Sequence, residues 1–427
     1  MGLEQAGIEK FIGEFEHMST EAEAVETKVK SKNKARSDLE IELRYFGKEP
    51  ENIILNTSAA PLQTVKTFGK TRNGWVNMLI FGENLAVLKT LMGNPNFRGQ
   101  VKLVYIDPPF STNHEFRGGP SRTSTISPSA KDQIAYEDKL VGAEYLEFLR
   151  KRLIFLRELL ADDGSIYVHI DWKAGHYVKV LMDEVFGEKH FVNDIARIKC
   201  NPKNFPRPAY GNVKDMILFY SKTDKYIWNE STTDYTEEEI QRLFPKIDKD
   251  GRRYTTNPLH APGETKNGPT GQPWKGIKPP KGRHWRYNPD ELTRLDELGL
   301  IEWSNTKNPR KKIYADEFIE KKKKRQDMWE FKDPAYPSYP TEKNREMLKV
   351  IIEASSNKGD LVLDCFAGSG TTLVAAEQLN RRWIGIDNSP LAIDVALKKL
   401  LSLESYQAFI LCNANNRPLP QALQKLI

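Results

Sequence analysis

The amino-acid sequence predicts an α/β fold whose core is a doubly wound, Rossmann-like sheet of largely parallel strands. Apolar segments of strand length alternate along the chain with segments of helical periodicity, and this alternation is typical of such sheets. Apolar segments end in an aspartate at Asp107, Asp364 and Asp387, among others. Because doubly wound sheets bind ligands at the carboxyl ends of their strands, each of these aspartates marks a candidate ligand site.

A charged segment precedes the first strand, and we assign residues 1–60 to an N-terminal helical arm. Residues 73–92 then predict a short strand, a Gly-Glu-Asn turn and an amphipathic helix. The apolar run 102–106 predicts a buried strand that stops at Asp107, because the two prolines that follow cannot continue a hydrogen-bonded ladder. The polar stretch over residues 111–133 is typical of a mobile loop.

Further elements complete this first α/β block, which we assign to residues 61–228. In order, the sequence predicts a helix over 142–160, a break at Ala-Asp-Asp-Gly, a buried strand over 165–171, a helix over 174–186 and a strand over 215–221. His169 and Asp171 stand at the end of one of these strands. We expect them to have a structural role or to face the same sheet edge as Asp107.

The chain changes character over residues 229–335, which we assign to an inserted module rich in Pro, Gly, Lys and Trp. Residues 275–325 hold fifteen Lys or Arg and eight Asp or Glu, a surplus of seven that exceeds the +6 of the whole chain. Such a segment suits phosphate binding and base stacking, although a solvated face above a small aromatic core has the same composition. The basic run 321–325 and the side chains of Trp274 and Trp285 allow both interpretations.

The α/β pattern returns over residues 336–427. It predicts a helix over 341–355, a strand that ends at Asp364, a glycine-rich turn, a strand that ends at Asp387 and a last strand over 406–412.

Composition excludes several classes of protein. No apolar run approaches the roughly 18 residues that a membrane span needs, and the N-terminus is too charged for a secretory signal. The three cysteines, Cys200, Cys365 and Cys412, lie far apart and lack zinc-ligand spacing. We therefore expect a cytoplasmic location, buried unpaired thiols, no membrane partner and no metal.

The segment LVLDCFAGSGTT predicts a nucleotide-type cofactor site. A buried strand ends at Asp364, and Gly368 and Gly370 allow the backbone to approach a ligand closely. The next strand ends at Asp387, whose carboxylate is placed to accept hydrogen bonds from two ribose hydroxyls. The pattern is not the Gly-x-Gly-x-x-Gly of nicotinamide enzymes, and many structural turns also contain glycine.

The block Asp107-Pro108-Pro109-Phe110 fits chemistry on the exocyclic amine of a base. Such an amine is a poor nucleophile because its lone pair is delocalised into the ring. Hydrogen bonds from the amine to the Asp107 carboxylate and the Pro108 carbonyl would localise that pair, and Phe110 offers a flat face to a base taken out of the helix. The reaction is then direct methyl transfer from a sulfonium, with no metal. The alternative is an ordinary strand-ending turn.

With both blocks, the sequence resembles the β arrangement of amino-methylating DNA methyltransferases. In that family the Asp-Pro-Pro-Tyr/Phe block precedes a target-recognition region and the Phe-x-Gly-x-Gly block follows it, a circularly permuted motif order. The resemblance covers roughly residues 75–400 and is strongest to modification subunits of type III restriction systems and related solitary adenine methyltransferases. The segments Gly82–Leu85 and Tyr339–Asn344 are similar to two further family blocks, although Glu342 and Asn344 depart from the usual Gln and Pro.

The resemblance implies S-adenosylmethionine as cofactor and assigns site residues. The catalytic residues would be Asp107, Pro108, Pro109 and Phe110. The residues that line the cofactor site would be Asp364, Phe366, Gly368, Gly370 and Asp387, with Thr341 and Lys343 nearby. His114 and Arg117 are candidates for contacts to the target strand, or are ordinary loop residues.

The function that we expect is site-specific methylation of the N6 amino group of adenine in duplex DNA, with base flipping. Asp107 favours adenine, because the cytosine-amino enzymes of the family more often carry Ser at that position. The alternatives are N4-cytosine methylation and a catalytically silent DNA-binding subunit of a restriction or defence complex; an RNA substrate fits the large insert less well. Double-stranded DNA is the expected partner, and a restriction-system subunit and a second copy of the chain are possible further partners.

Overall fold

The computed structural model describes residues 42–70, 74–110, 114–118, 133–138, 140–202, 206, 208–304, 308–414, 419 and 421–424. It separates two compact units. The larger unit comprises the chain up to Asn229 and from Gln326 onward, and the smaller unit, which we call the insert, is Glu230–Arg325.

The described residues form twenty strands and eleven α-helices. The strands are β1 (Gln63–Phe68), β2 (Asn77–Phe81), β3 (Val101–Ile106), β4 (His114–Gly118), β5 (Gln133–Asp138), β6 (Leu160–Ile170), β7 (Phe191–Ile198), β8 (Lys214–Ser221), β9 (Thr232–Thr233), β10 (Lys246–Ile247), β11 (Arg253–Pro258), β12 (His260–Pro262), β13 (Arg283–Trp285), β14 (Ile301–Trp303), β15 (Pro309–Tyr314), β16 (Lys323–Lys324), β17 (Met328–Glu330), β18 (Leu361–Asp364), β19 (Arg382–Asp387) and β20 (Phe409–Asn413).

The helices are α1 (Glu51–Leu55), α2 (Asn84–Gly93), α3 (Gly142–Leu159), α4 (Gly175–Phe186), α5 (Glu237–Leu243), α6 (Pro289–Glu297), α7 (Ala315–Ile319), α8 (Arg345–Ser355), α9 (Thr371–Gln378), α10 (Pro390–Leu401) and α11 (Gln421–Gln424). Two short 3₁₀ helices cover Glu188–His190 and Pro269–Gly271.

The larger unit is built on a ten-stranded sheet in the order β1-β20-β2-β19-β18-β3-β6-β8-β7-β17. The six strands from β20 to β6 pair in parallel, whereas β1 and β8 pair antiparallel with their neighbours. The expected doubly wound α/β sheet is confirmed. Strand β18, from the last quarter of the chain, pairs directly with β3, from the first quarter. The glycine-rich block after β18 and the Asp-Pro-Pro-Phe block after β3 are therefore neighbours in space, although they are far apart in the sequence.

Helices cover both faces of this sheet, because alternate side chains of its strands point to opposite sides. On β2, Met78 and Ile80 belong to one buried cluster, whereas Leu79 and Phe81 belong to the other. The first cluster is completed by α2, α3 and α4, and the second by α8, α9 and α10. The strands are buried on both faces, and they therefore appear in the sequence as continuous apolar runs.

Helix starts near the carboxyl edge of the sheet follow ordinary capping rules. The Glu83 side chain accepts from the Ala86 N–H at the start of α2, and the Ser389 hydroxyl accepts from the Ala392 N–H at the start of α10. The Asn344 side chain caps α8, which begins at Arg345 rather than at residue 341 as expected.

Further expectations differ from the structure within the described residues. The predicted mobile loop over residues 111–133 contains strand β4, which pairs antiparallel with β5 at the end of that loop. The Ala-Asp-Asp-Gly segment lies inside β6, which begins at Leu160, with a register shift opposite Val101 that accommodates the extra residues. Strand β7, which carries partly polar side chains, was not predicted at all. The greater part of the expected N-terminal arm, residues 1–41, lies outside the described residues.

The insert differs in extent from the predicted module 229–335. It ends at Arg325, because Met328–Glu330 pairs in parallel with β7 and so belongs to the larger unit. The insert contains a four-stranded sheet in the order β10-β11-β15-β14 and a small core around Trp274, Trp285 and Leu292. It is therefore more regular than its sequence suggested.

Two structural features bear on the expectations from composition. The three cysteines form no disulfide; Cys365 and Cys412 are buried as expected, but Cys200 is half-buried. Within the described ranges, no helix combines the length and the apolar character that crossing a membrane requires.

Candidate active site

A cavity of about 420 Å³ opens at the carboxyl ends of β3, β18 and β19 in the larger unit. Its wall contains the three strand-ending carboxylates of Asp107, Asp364 and Asp387. Because β18 pairs with both β3 and β19, residues far apart in the sequence meet at one edge of the sheet. Of the predicted site residues, the cavity is lined by Asp107, Pro108, Pro109, Phe110, Thr341, Lys343, Asp364, Phe366, Gly368 and Asp387.

The carboxylate of Asp107 has two oxygens in different situations. Oδ2 lies 2.6 Å from Nζ of Lys343, and both side chains are largely buried. Oδ1 is buried and has no hydrogen-bond partner within the described part of the chain. A buried acceptor without a donor costs free energy, and it is therefore a natural position for a donor from a bound ligand.

Phe110 forms an aromatic wall beside this carboxylate. The Lys343 ammonium lies 5.1 Å from the centroid of the Phe110 ring, within the range of a cation–π contact. On another side, the His169 ring lies 6.2 Å from the Phe110 ring, centroid to centroid. Phe110 is therefore held close to Asp107 by neighbours from two other segments.

A buried polar chain runs from the cavity wall into the sheet. The Tyr105 hydroxyl lies 2.9 Å from Nδ1 of His169, and Nε2 of His169 lies 3.2 Å from Oδ2 of Asp215. Asp215 in turn binds Lys199 at 2.6 Å and approaches Arg197 at 3.7 Å. Although burial opposes ionisation, the hydrogen bond from His169 and the charges of Lys199 and Lys343 hold the pKa of Asp215 well below its usual range.

His169 is therefore a fixed structural element beneath the catalytic block. Burial lowers the pKa of its imidazole despite the Asp215 carboxylate. In the neutral tautomer with the proton on Nε2, the ring donates to Asp215 and accepts from the Tyr105 hydroxyl. Asp171, the second candidate on this strand end, accepts instead from the backbone N–H groups of Lys173 and Ala174, which is a local turn contact.

Asp364 and Asp387 line the cavity at the ends of the neighbouring strands β18 and β19. Complete burial raises the pKa of Asp364 to about 7, even though its carboxylate accepts from the Phe366 N–H. Asp387 accepts from the N–H groups of Gly368 and Ser389, each at 2.8 Å, and burial raises its pKa as well. These two bonds orient the Asp387 carboxylate and use one lone pair on each oxygen, so each oxygen retains further acceptor capacity.

The two glycines of the turn have different roles. Gly368 lines the cavity with φ +50°, and an added Cβ would meet nothing closer than a Tyr339 ring carbon at 3.6 Å. Gly370 does not line the cavity. Its φ is +72°, and an added Cβ would lie 2.7 Å from the Cβ of Ala396. Gly370 is thus required for the packing of α9 against α10, and the prediction that it lines the cofactor site is corrected.

The segment Tyr339–Asn344 crosses the cavity in a strained conformation. Thr341 has φ +60°, which is rare for a β-branched residue and costs on the order of 1–3 kcal/mol. The two departures from the family pattern have local partners. Glu342 binds Lys399 at 2.5 Å and accepts from Ser338, while Asn344 caps α8. Both residues stabilise this conformation by contacts that Gln and Pro would not provide in the same way.

A second group of lining residues was not identified individually from the sequence. The buried Arg152 binds Glu83 at 2.5 Å and Asn84 at 2.6 Å, and its guanidinium lies 3.5 Å from the Phe148 ring centroid. Asn84 also donates to the Cys365 carbonyl at 2.7 Å. The Gly82–Leu85 resemblance indicated this turn, but the helix that supplies Arg152 showed only ordinary amphipathic periodicity.

Several candidates lie elsewhere. His114 and Arg117 lie on β4, and their side chains are outside the described structure. Trp274 and Trp285 are buried in the insert, where their indole N–H groups donate to Thr293 and to the Gln272 carbonyl. They are core residues, and the base-stacking interpretation is wrong for both.

The cavity fits S-adenosylmethionine on the chemistry of its wall. It has carboxylates with free acceptor capacity for hydroxyl and ammonium groups, and aromatic side chains for an adenine ring. A Rossmann-like sheet with this site beside an Asp-Pro-Pro-Phe block defines the class of S-adenosylmethionine-dependent methyltransferases.

The chain belongs to the DNA methylase family of N6-adenine and N4-cytosine methyltransferases, whose match covers residues 101–398. The cofactor of this family is S-adenosylmethionine, and its substrate is DNA.

Curated relatives include methyltransferases of two kinds of restriction system. The chain is 42% identical over 367 residues to the type II methyltransferase M.EcaI of Enterobacter cloacae, covering 84% of this chain and 77% of that protein. It is 25% identical over 414 residues to the Mod subunit of the type III restriction-modification enzyme EcoP15I of Escherichia coli, covering 80% of this chain. The chain spans 62% of the length of that Mod subunit.

Solved structures to which the chain shows some similarity include PvuII DNA methyltransferase, described as cytosine-N4-specific. It has a TM-score of 0.40 and 15% identity, and the alignment covers 82% of this chain and 91% of that one. The M1.HpyAVI complex with S-adenosylmethionine has a TM-score of 0.38 and 15% identity, covering 76% of this chain and 100% of that one.

Proposed function

We propose that this chain is a site-specific DNA methyltransferase that modifies the N6 amino group of adenine in duplex DNA after the base leaves the helix. The observation that carries the proposal is the Asp107 carboxylate, whose Oδ1 is buried at the cavity wall without a donor in the described structure. An exocyclic amino group is a donor of the required kind.

The residues of the catalytic block have separate tasks in this proposal. Oδ1 of Asp107 and the Pro108 carbonyl accept from the two amino hydrogens and so localise the nitrogen lone pair. Pro109 restricts the backbone, and the Phe110 ring stacks on the base. Acceleration comes from orientation and from electrostatic stabilisation of the charge that develops on the nitrogen.

The cofactor side of the cavity has a complementary role. S-adenosylmethionine supplies an electrophilic methyl group on a sulfonium. Asp387 would accept from ribose hydroxyls, and Asp364 would face a cationic group of the cofactor. Phe366 and the backbone at Gly368 would contact the flat adenine ring, and Thr341 would close the site from the 339–344 segment, while Lys343 of the same segment binds Asp107.

Asp107 at the first catalytic position favours adenine over cytosine, because cytosine-amino enzymes of the family more often carry Ser there. N4-cytosine methylation remains the alternative and uses the same residues. A catalytically silent DNA-binding subunit is disfavoured, because the catalytic block and the Gly368–Gly370 turn are both present.

The relatives also suggest which unit recognises DNA and which partners the chain has. We assign target recognition to the insert, with the larger unit as the catalytic and cofactor-binding domain. The type III relatives support a restriction-system subunit as a partner, and a homodimer is a further assembly that the family allows.

The test is single-molecule modification sequencing of DNA from cells that express the chain and lack their own adenine methylation. Asp107→Ala is the variant, and Asp224→Ala is the matched control, since Asp224 is exposed and pairs only with His190 at 3.7 Å among described residues. N6-methyladenine at one short motif with wild type and control, but not with Asp107→Ala, supports the proposal. Detection of N4-methylcytosine would show that the target base is cytosine. Methylation that persists with a folded Asp107→Ala protein would refute the mechanism.

A further inference from the structure

The basic run 321–325 of the insert is largely neutralised by neighbouring carboxylates. Lys322 pairs with Asp234 at 3.2 Å, Lys323 with Glu239 at 2.5 Å and Lys324 with Glu230 at 2.8 Å. These pairs tie the run to the preceding segment of the same unit. Three of the five basic side chains of the run are therefore paired with carboxylates of the same unit.

Three arginines elsewhere in the insert form a cluster around the end of β11. We call Arg283, Arg286 and Arg310 the arginine cluster. Arg310 donates to the Thr256 carbonyl at 2.6 Å, and Arg286 donates to the Pro258 carbonyl at 3.2 Å. Arg283 donates to Nδ1 of His260 at 3.1 Å. Neutral acceptors within a five-residue segment thus hold all three guanidinium groups.

No carboxylate among the described residues lies within 4.0 Å of the arginine cluster, in contrast to Arg252 and Arg294 of the same unit. Arg252 binds both Asp316 and Glu317, and Arg294 binds Glu291 at 2.9 Å. The pKa of the His260 imidazole is lowered, first by burial and then by the positive charges of the three arginines. The cluster is a local surplus of positive charge with no internal counterion.

A groove of about 380 Å³ adjoins the cluster through Arg286. Tyr287 and Lys311 line it, with Nζ of Lys311 3.1 Å from the Tyr287 hydroxyl and 4.8 Å from the ring centroid. Lys312 and the carboxylate of Glu317 line it as well, but they pair with Asp248 and Arg252 respectively. Lys311 therefore extends the uncompensated positive charge beyond the three arginines.

We propose that the arginine cluster of the insert binds the phosphodiester backbone of duplex DNA, a role that rests on the proposed DNA methyltransferase function. Each guanidinium has five N–H donors, and the contacts to neutral acceptors use one or two of them. The remaining donors form planar forks that match phosphate oxygens, and the contacts to the protein hold the forks in place before binding.

The cluster fits phosphate better than it fits the edge of adenine or cytosine. Its free groups are all cationic donors, and a phosphate presents only acceptors. Adenine and cytosine edges in the major groove present a donor as well, and reading them requires an acceptor that the cluster lacks. A guanine edge presents two acceptors and also suits a guanidinium, so the experiment separates phosphate contacts, which act on DNA of any sequence, from guanine reading.

The test measures equilibrium binding of the full-length protein to a 30-base-pair duplex of random sequence at a series of KCl concentrations. The variants are the triple substitution of Arg283, Arg286 and Arg310 by Gln, and Arg286→Gln alone, since Arg286 is exposed and makes one side-chain hydrogen bond among described residues. Because each lost phosphate contact lowers the slope of log K against log salt by about 0.9, the triple variant should lower it by about 2 to 3. Its affinity at moderate salt should fall by about tenfold or more.

The matched controls also replace basic residues of the insert by Gln, but at positions where the basic side chain is already paired with a carboxylate. Arg294→Gln removes an arginine already paired with a carboxylate, and the triple substitution of Lys322, Lys323 and Lys324 by Gln removes three paired lysines. Both should leave the slope close to that of wild type. A wild-type slope in the folded triple arginine variant, or an equal loss in the lysine variant, would overturn the proposal. So would an unchanged slope together with a relaxed methylation motif, which would assign the arginines to base reading. Because the readout is binding to random-sequence DNA, the result stands apart from whether the protein methylates adenine.

Discussion

The ammonium group of Lys343 lies 2.6 Å from Oδ2 of Asp107, which leaves Oδ1 of the same carboxylate as the acceptor that faces the cavity without a donor in the described structure. The resemblance to the family placed Lys343 near the cofactor, but its closest charged contact is the Asp107 carboxylate. A lysine in this position restricts the rotation of the Asp107 side chain. In the proposed mechanism, it thereby determines which oxygen is presented to the amino group of the target base.

The first prediction concerns Lys343 as a positioning residue. Lys343→Met should lower the single-turnover rate of methyl transfer by about 10²-fold, because a mispositioned acceptor loses most of its effect. The Kd for S-adenosylmethionine should change little, and Lys343→Arg should restore part of the rate.

A double-variant cycle separates this role from cofactor binding. In an Asp107→Ala background, Lys343→Met should cause no further loss of rate, because the interaction is already absent. A large rise in the Kd for S-adenosylmethionine with an unchanged rate would instead assign Lys343 to the cofactor site.

The second prediction concerns pH and Asp364. Burial raises the pKa of this carboxyl to about 7 from an ordinary value of 3.8. A cationic cofactor favours the ionised carboxylate, so binding should release a proton, and affinity for S-adenosylmethionine should rise from pH 6 to pH 8. Asp364→Asn should bind more weakly and should lose this part of the pH dependence. Isothermal titration calorimetry in buffers of different ionisation enthalpy measures the released proton directly; proton uptake in this pH range would contradict the assignment.

The sign of the stability effect follows from the same raised pKa. The protonated carboxyl favours the folded protein, so this contribution is complete below about pH 4 and is lost as the pH rises through 7. In the absence of cofactor, Asp364→Asn should therefore gain stability relative to wild type as the pH rises from 5 to 8.

The third prediction distinguishes the two glycines of the turn. Gly370→Ala forces a Cβ to within 2.7 Å of Ala396 at φ +72°, and should destabilise the fold by about 2–4 kcal/mol. Gly368→Ala places its Cβ in ordinary contact with the Tyr339 ring at φ +50°, so it has backbone strain without a clash. It should therefore lose less stability than Gly370→Ala and mainly weaken cofactor binding. Denaturant unfolding and cofactor titration on both variants provide the comparison. Equal stability of the two would show that α9 can move away from α10.

The fourth prediction concerns the buried polar chain. Asp215→Ala leaves His169, Lys199 and part of Arg197 without their anionic partner, and should destabilise the larger unit by about 3–5 kcal/mol. Asp194→Ala, an exposed position on the same strand as Arg197, is the matched control and should change stability by less than about 0.5 kcal/mol. A difference of under 1 kcal/mol between the variants would mean that solvent reaches the chain and compensates the lost charge.

Many of the residues that line the cavity could be predicted because they lie in short segments with a clear sequence pattern. Asp107, Asp364 and Asp387 each end an apolar run, and such a run defines both a buried strand and its last residue. The Asp-Pro-Pro-Phe block and the glycine-rich turn likewise combine local geometry with functional side chains. Predictions failed where the local signal was weak. Strand β7 was missed because its side chains are partly polar. The role of Gly370 was misassigned because the glycine is required by a contact with a helix distant in the sequence.

What the sequence by itself determined is therefore the class of fold, the identity of the strand-ending carboxylates and the resemblance to amino-methylating enzymes. Only the tertiary structure decided which of these groups touch. The Asp107–Lys343 pair, the Arg152 contacts to Glu83 and Asn84, and the different surroundings of the arginine cluster and the run 321–325 all join segments distant in the chain. Sequence patterns report which face of an element is buried, because periodicity is a local property. They do not report which charge lies opposite another, because that depends on strand order and on how the chain returns to the sheet.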